Sequence, residues 1–187
     1  MELKGIYTAL VTPFRGGALD EKALKKLIEF QVAGGVDGIV PCGTTGEAPT
    51  LSYEEHEKVI ELAIKYAGGK VPVIAGTGSN STAEAIELTM SAKKLGADAC
   101  LLTTPYYNKP TQAGLLAHFT TIAEKTRIPL VLYNIPGRTG INMAPETIAE
   151  LAKVRNIVGI KEAAGSLTQV SEIYRLTKGR FAILSGD

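Results

Sequence analysis

Seven short stretches of nearly unbroken apolar character recur along the chain, at residues 7–12, 38–42, 71–75, 99–103, 129–134, 157–161 and 181–185. Strands with one wet face alternate apolar and polar residues. Continuous apolar runs instead mark strands covered on both faces, as in parallel sheets. The segments between them read as amphipathic helices with legible starts. Ser52-x-x-Glu55 and Ser81-x-x-Glu84 have the form of capping boxes, and Asp20 and Thr111 are further cap candidates. Pro145 suits the first turn of a helix running through Ala152. Gly34-Gly35, Gly68-Gly69 and Gly96 stand where helices should end.

Strands roughly 25–32 residues apart, each followed by a helix, define a βα repeat. The expected fold is α/β, a TIM (β/α)8-type barrel of which about seven βα units are visible, in a single domain over 1–187. A closed barrel of this kind needs eight strands. An open, doubly wound sheet of six or seven strands is the alternative.

Composition narrows the class. Hydrophobic residues make up 45% of the 187 positions, an ordinary value for a folded globular chain. The net charge of +1 comes from dispersed basic and acidic residues, so neither a nucleic acid nor a membrane surface is expected as a partner. The start Met1-Glu2-Leu3-Lys4-Gly5 lacks the build of a signal peptide, and no apolar run approaches the roughly 20 residues of a membrane span. Cys42 and Cys100 are too few for a disulfide framework and lack metal-ligand spacing, so buried free thiols and a cytoplasmic location are expected.

In a barrel, chemistry collects at the C-terminal ends of the strands. Lys161 closes the apolar run Ile157-Val158-Gly159-Ile160. Burial disfavours the charged ammonium and lowers its pKa, which makes a lysine a nucleophile for carbonyl carbon. The bland alternative is a lysine that snorkels from the strand end or pairs with Glu162. Tyr133 ends the preceding strand, where a phenol facing Lys161 across the mouth can move protons at an imine; a core tyrosine is the alternative. Thr44 and Thr45, between glycines in Gly43-Thr44-Thr45-Gly46-Glu47, offer hydroxyls and amides to a small anion, or simply turn the chain. Arg138, in Ile135-Pro136-Gly137-Arg138-Thr139, suits bidentate capture of a carboxylate. Gly76-Thr77-Gly78 falls short of a dinucleotide fingerprint, and no histidine or carboxylate cluster suits a metal.

The stretches Gly38-Ile39-Val40-Pro41-Cys42-Gly43-Thr44-Thr45-Gly46-Glu47, Tyr133-Asn134-Ile135-Pro136-Gly137-Arg138-Thr139 and Gly159-Ile160-Lys161-Glu162-Ala163 together resemble the dihydrodipicolinate synthase and N-acetylneuraminate lyase family of pyruvate-dependent class I aldolases. The resemblance runs from the first strand to the last residue. It implies that Lys161 forms a Schiff base with pyruvate and that no other cofactor is needed. Tyr133 would be the central proton donor and acceptor, in a relay with Thr44 and Tyr107. Thr45 would hold the pyruvate carboxylate, and Arg138 the carboxylate of aspartate semialdehyde. The implied function is condensation of these two compounds in lysine and diaminopimelate biosynthesis. Arg138 and Thr44 favour that branch over aldolases acting on sugar acids such as N-acetylneuraminate or 2-keto-3-deoxygluconate.

In this family the residue matching Tyr107 enters the partner subunit's site, which implies a homo-oligomer, dimer or tetramer. His56, Asn80, Glu84 and Tyr106 match a lysine-feedback pocket, while Ala48, Pro49 and Tyr53 depart from it. The resemblance also implies an eighth strand and a helical C-terminal domain that 1–187 does not contain. An inactive fragment, an oligomer that covers the open strand edges, and a non-catalytic assembly module are therefore alternatives to a working lyase.

Overall fold

A computed structural model describes residues 3–186. The chain forms two compact units, one of residues 5–77 and 88–100, the other of residues 3–4, 78–87 and 101–186.

The first unit begins with β1 (Tyr7–Ala9), followed by a hairpin of β2 (Phe14–Arg15) and β3 (Ala18–Leu19), then α1 (Glu21–Ala33), β4 (Gly38–Val40), α2 (Tyr53–Ala67) and β5 (Ile74–Gly76). β1 and β4 are parallel, with Thr8 opposite Ile39. Ile39 in turn makes a parallel bridge to Val73. Apolar side chains at helical spacing, Leu24 and Ile28 on α1 and Val59, Ile60, Ala63 and Ala67 on α2, are buried beneath the two helices. The caps expected from sequence are present. Asp20 accepts the Ala23 amide at 2.9 Å, and Ser52 and Glu55 form the full reciprocal box.

The last helix of the first unit, α3 (Thr82–Leu95), and the next strand, β6 (Ala99–Thr103), contribute residues to both units. The second unit continues with α4 (Gln112–Thr126), β7 (Leu130–Asn134), the one-turn α5 (Pro136–Thr139), α6 (Pro145–Leu151), β8 (Ile157–Glu162), α7 (Leu167–Leu176) and β9 (Ala182–Ser185). Its strands follow the order β6-β7-β8-β9. The pairs β7–β8 and β8–β9 are parallel. All five residues of β7 are buried, as its unbroken apolar run requires. Leu115, Phe119 and Ile122 of α4, Ile148 and Leu151 of α6 and Ile173 of α7 are fully buried.

Three expectations need correction. The hairpin at 14–19 is an extra element, turned by Gly16 and Gly17, both with positive φ (59° and 83°). Cys42 lies beyond its strand in a left-handed conformation, φ 54°. At Ser81 half of the box forms, the Glu84 amide donating to Ser81 Oγ at 3.4 Å, while the reciprocal half runs through Ser79: the Ser81 amide donates to Ser79 Oγ at 3.0 Å, and the Ser79 hydroxyl donates to the Glu84 carboxylate. Both cysteines are free and buried, and burial pushes their thiols up to about 12. Among the described residues no helix is long and apolar enough to cross a membrane.

Candidate active site

The second unit brings Tyr133 and Lys161 together. In the parallel β7–β8 pair Tyr133 lies opposite Lys161, and Leu184 of β9 lies opposite Lys161 on the other side. Because side chains alternate faces along a strand, Val131 and Tyr133, Gly159 and Lys161, and Ala182 and Leu184 share one face. The Lys161 Nζ sits 4.4 Å from the centre of the Tyr133 ring. The two are neighbours on adjacent strands rather than partners facing each other across an opening. Tyr133 is only 5% exposed, whereas Lys161 is half-buried. Burial lowers the Lys161 pKa, which raises the fraction of neutral, nucleophilic amine at a given pH.

Room for the lysine stem comes from Gly186. A Cβ there would lie 2.8 Å from both Lys161 Cε and Ala163 Cβ, so a larger residue would displace the amine. The Gly186 amide donates to the Glu162 carbonyl at 2.8 Å, which continues the β8–β9 ladder past its last pair.

Glu162 does not pair with Lys161. It faces the opposite side of the sheet, 3% exposed, with a full set of donors. Asn134 Nδ2 donates to both carboxylate oxygens at 3.1 Å, the Ala164 amide donates at 2.8 Å, and Gln169 Nε2 at 3.1 Å. These bonds offset the cost of burying the charge among neutral groups. Neither Asn134 nor Gln169 stood out in the sequence. Their signal was position: Asn134 follows Tyr133 as Glu162 follows Lys161.

The other expected site residues are placed as follows. Arg138 is exposed on α5, a helical turn rather than a loop, whose Gly140 cap is left-handed. Tyr107 is 90% exposed at φ 70°, in a turn where Asn108 Nδ2 donates to the Asn80 carbonyl at 3.2 Å. Asn80, Glu84 and Tyr106 are all part-buried in the same unit. Thr44, Thr45 and His56 belong to the first unit. Both threonines are exposed in the turn after β4, which is closed by the Gly46 amide on Gly43 O at 3.1 Å and the Glu47 amide on Thr44 O at 3.0 Å. His56 is a buried residue of α2, not a solvated one, and its Nε2 lies 2.9 Å from the Gly76 carbonyl. Among the described residues no group of three or more His, Cys, Asp or Glu side chains could hold a metal.

A parallel α/β scaffold with a part-buried lysine and a tyrosine on adjoining strand ends defines the class: a (β/α) protein of the TIM-barrel type. The comparisons agree and set aside the open, doubly wound alternative. The family model described as the dihydrodipicolinate synthetase family matches residues 2–187, and the chain belongs to that family. It is 60% identical over 184 residues to the 4-hydroxy-tetrahydrodipicolinate synthase of Geotalea daltonii, covering 98% of this chain and 63% of that protein. The chain thus spans a little under two thirds of the length of the curated relatives it matches. The solved 4-hydroxy-tetrahydrodipicolinate synthase of Methylacidiphilum fumariolicum superposes with a TM-score of 0.98 at 51% identity, over 100% of this chain and 62% of that one. The dihydrodipicolinate synthase of Acinetobacter baumannii, solved in complex with pyruvate, gives 0.97 at 51%, over 100% of this chain and 64% of that one.

Proposed function

We propose that this chain carries the Schiff-base chemistry of 4-hydroxy-tetrahydrodipicolinate synthase, a lyase-type condensation of pyruvate with L-aspartate 4-semialdehyde in lysine and diaminopimelate biosynthesis. The observation that carries it is the amine of Lys161, its pKa lowered by burial, beside the Tyr133 phenol ring. Neutral Nζ adds to C2 of pyruvate, and loss of water leaves an imine. Loss of a C3 proton then gives the enamine. Its C3 bonds to the aldehyde carbon of the second substrate, whose oxygen takes up a proton. The amine of that substrate adds to C2, closing the ring and releasing Lys161 as free amine.

In this scheme Tyr133 accepts and returns protons, with Thr44 and Tyr107 as its relay. Thr45 holds the pyruvate carboxylate, and Arg138 the second carboxylate through its planar fork. The imine supplies the electrophile, and no further cofactor is invoked. The exposed, left-handed Tyr107 suits a contact with a second copy in a dimer or tetramer. A cytoplasmic enzyme of amino-acid biosynthesis fits this chemistry. An N-acetylneuraminate-type aldolase is the second reading, and Arg138 disfavours it because a sugar acid offers no second carboxylate there.

Pyruvate followed by borohydride tests the proposal directly. Intact mass should rise by one reduced pyruvate, and peptide mapping should place it on Lys161 alone among the lysines. A folded sample with no adduct, or with adducts spread over surface lysines, would sink it. His56, Asn80, Glu84 and Tyr106 are further proposed to bind lysine as a feedback inhibitor. Titrating lysine into the trapping reaction should slow it, and an unchanged rate across the titration removes that assignment.

A further inference from the structure

Strand register decides whether Lys161 meets Tyr133 at all. Side chains alternate at every residue, so a one-residue slip of β8 against β7 would turn Lys161 to the opposite face of the sheet. The pairing is already irregular: Leu130 lies opposite Ile157 but Val131 lies opposite Gly159, leaving Val158 unpaired. Two registers therefore meet in this short ladder, and something beyond the irregularity has to fix the second one.

Asn134 and Glu162 stand one residue beyond the Tyr133–Lys161 pair, opposite each other, on the back of the same two strands. Asn134 is fully buried. Its Nδ2 spans both Glu162 oxygens, and its Oδ1 takes the Met143 amide at 3.0 Å. Asn142 and Gln169 close the network from outside: Asn134 Nδ2 donates to Asn142 Oδ1 at 2.8 Å, and Asn142 Nδ2 donates to Gln169 Oε1 at 2.8 Å. A slip of either strand would leave a buried carboxylate and a buried amide without partners, which is far costlier than losing a surface bond.

We propose that the Asn134–Glu162 pair, anchored by Gln169 and Asn142, is a positioning device that locks β7 against β8 in the register bringing Tyr133 beside Lys161. The proposal deepens the Schiff-base assignment and rests on it for its kinetic readout. Neither residue is a catalytic group, since both face away from the amine. Their effect is on the placement of Nζ, where about 1 Å of displacement costs on the order of 100-fold in rate.

The test is pyruvate trapping under single-turnover conditions, with amide hydrogen exchange of the same samples, in Glu162→Ala, Asn134→Ala, the double variant and the milder Glu162→Gln. A merely structural role lowers the folded fraction, and with it the amount of adduct formed. A positioning role lowers the first-order rate at saturating pyruvate. The expected result is a rate about 10–100-fold slower, with the same final adduct, in each Ala variant. The double variant should be no slower than either single one. Amides of 157–162 should exchange faster in all four, least in Glu162→Gln. An unchanged rate with less adduct, or unchanged exchange in 157–162, overturns the proposal. Should the unsubstituted chain form no adduct, the Schiff-base assignment fails on its own, and the exchange of 157–162 still decides whether the pair sets the register.

Discussion

Tyr133→Phe is expected to slow exchange of the pyruvate C3 protons with deuterated solvent by about 100- to 10,000-fold, the usual contribution of a positioned general acid–base group. Exchange reports formation of the imine and reversible loss of its C3 proton, so it needs neither the aldehyde substrate nor carbon–carbon bond formation. The substitution removes one oxygen and keeps the ring, which is 5% exposed and packs against the Lys161 amine at 4.4 Å. Folding should therefore be little changed, and borohydride should still trap Lys161, more slowly. Lys161→Ala sets the lower limit: no adduct and no exchange above the uncatalysed rate, because the amine that forms the imine is gone. Proton NMR of pyruvate in deuterated buffer measures both. Exchange at the native rate in Tyr133→Phe would remove the phenol from the proton path.

The alkaline side of the same reaction has a definite sign. Lys161 attacks as the neutral amine, and its pKa is lowered from the usual lysine value by burial. Trapping should accelerate with rising pH and level off below pH 10.5, earlier than for an exposed lysine. The same shift makes folding less favourable at neutral pH, since the unfolded chain binds a proton that the folded amine holds less tightly.

What sequence conveyed well was whatever is local or repeats. Each of the seven apolar runs falls on a strand, two of which (Ile74–Gly76 and Ile157–Glu162) end one residue beyond the run, and the capping residues at Asp20, Ser52 and Thr111 act within three residues of themselves. Boundaries moved where a residue could not keep its place in the ladder. Pro72 has no amide to donate, so regular pairing of the third run begins only at Ile74, while the Val73 amide turns to the Asp98 carboxylate at 2.8 Å. The hairpin at 14–19 had its signal in Gly16-Gly17, but its strands are two residues each and carry no periodicity. Arg127 ends α4 in a left-handed conformation usually left to glycine, which residue type alone does not announce.

The same contrast holds at the site. Lys161 and Tyr133 were legible because each closes an apolar run. Reading Lys161 and Glu162 as an ion pair treats sequence neighbours as spatial ones, whereas successive residues of a strand point to opposite faces. The partner of Glu162 is 28 residues away on β7, a distance set by one βα unit and invisible to local pattern. The contact of Gly186 with the Lys161 stem likewise emerges only from the parallel β8–β9 register.

The second large effect concerns acid stability and centres on His118. This histidine of α4 is 6% exposed, stacks edge-on to Phe119 at 4.9 Å and shares a 2.8 Å hydrogen bond between Nδ1 and Thr82 Oγ1. Its Nε2 is buried with no partner among the described residues. A protonated ring would need a second acceptor there, and burial accordingly pushes its pKa down from 6.5 to about 4. Below about pH 6.5 the unfolded chain takes up a proton that the folded imidazole refuses. Stability then falls with pH until about pH 4, below which both states carry the proton and the loss stops growing. At 1.36 kcal/mol for each tenfold difference in proton affinity, the loss from this one group is about 3 kcal/mol. His118→Gln keeps an acceptor and a donor for Thr82 but does not titrate. Urea unfolding at pH 7.5, 6, 5 and 4 should show the native protein losing about 3 kcal/mol more than the variant over that range, even if the variant starts lower at pH 7.5. Parallel losses in the two proteins would mean that His118 is protonated in the folded state and that its Nε2 finds an acceptor.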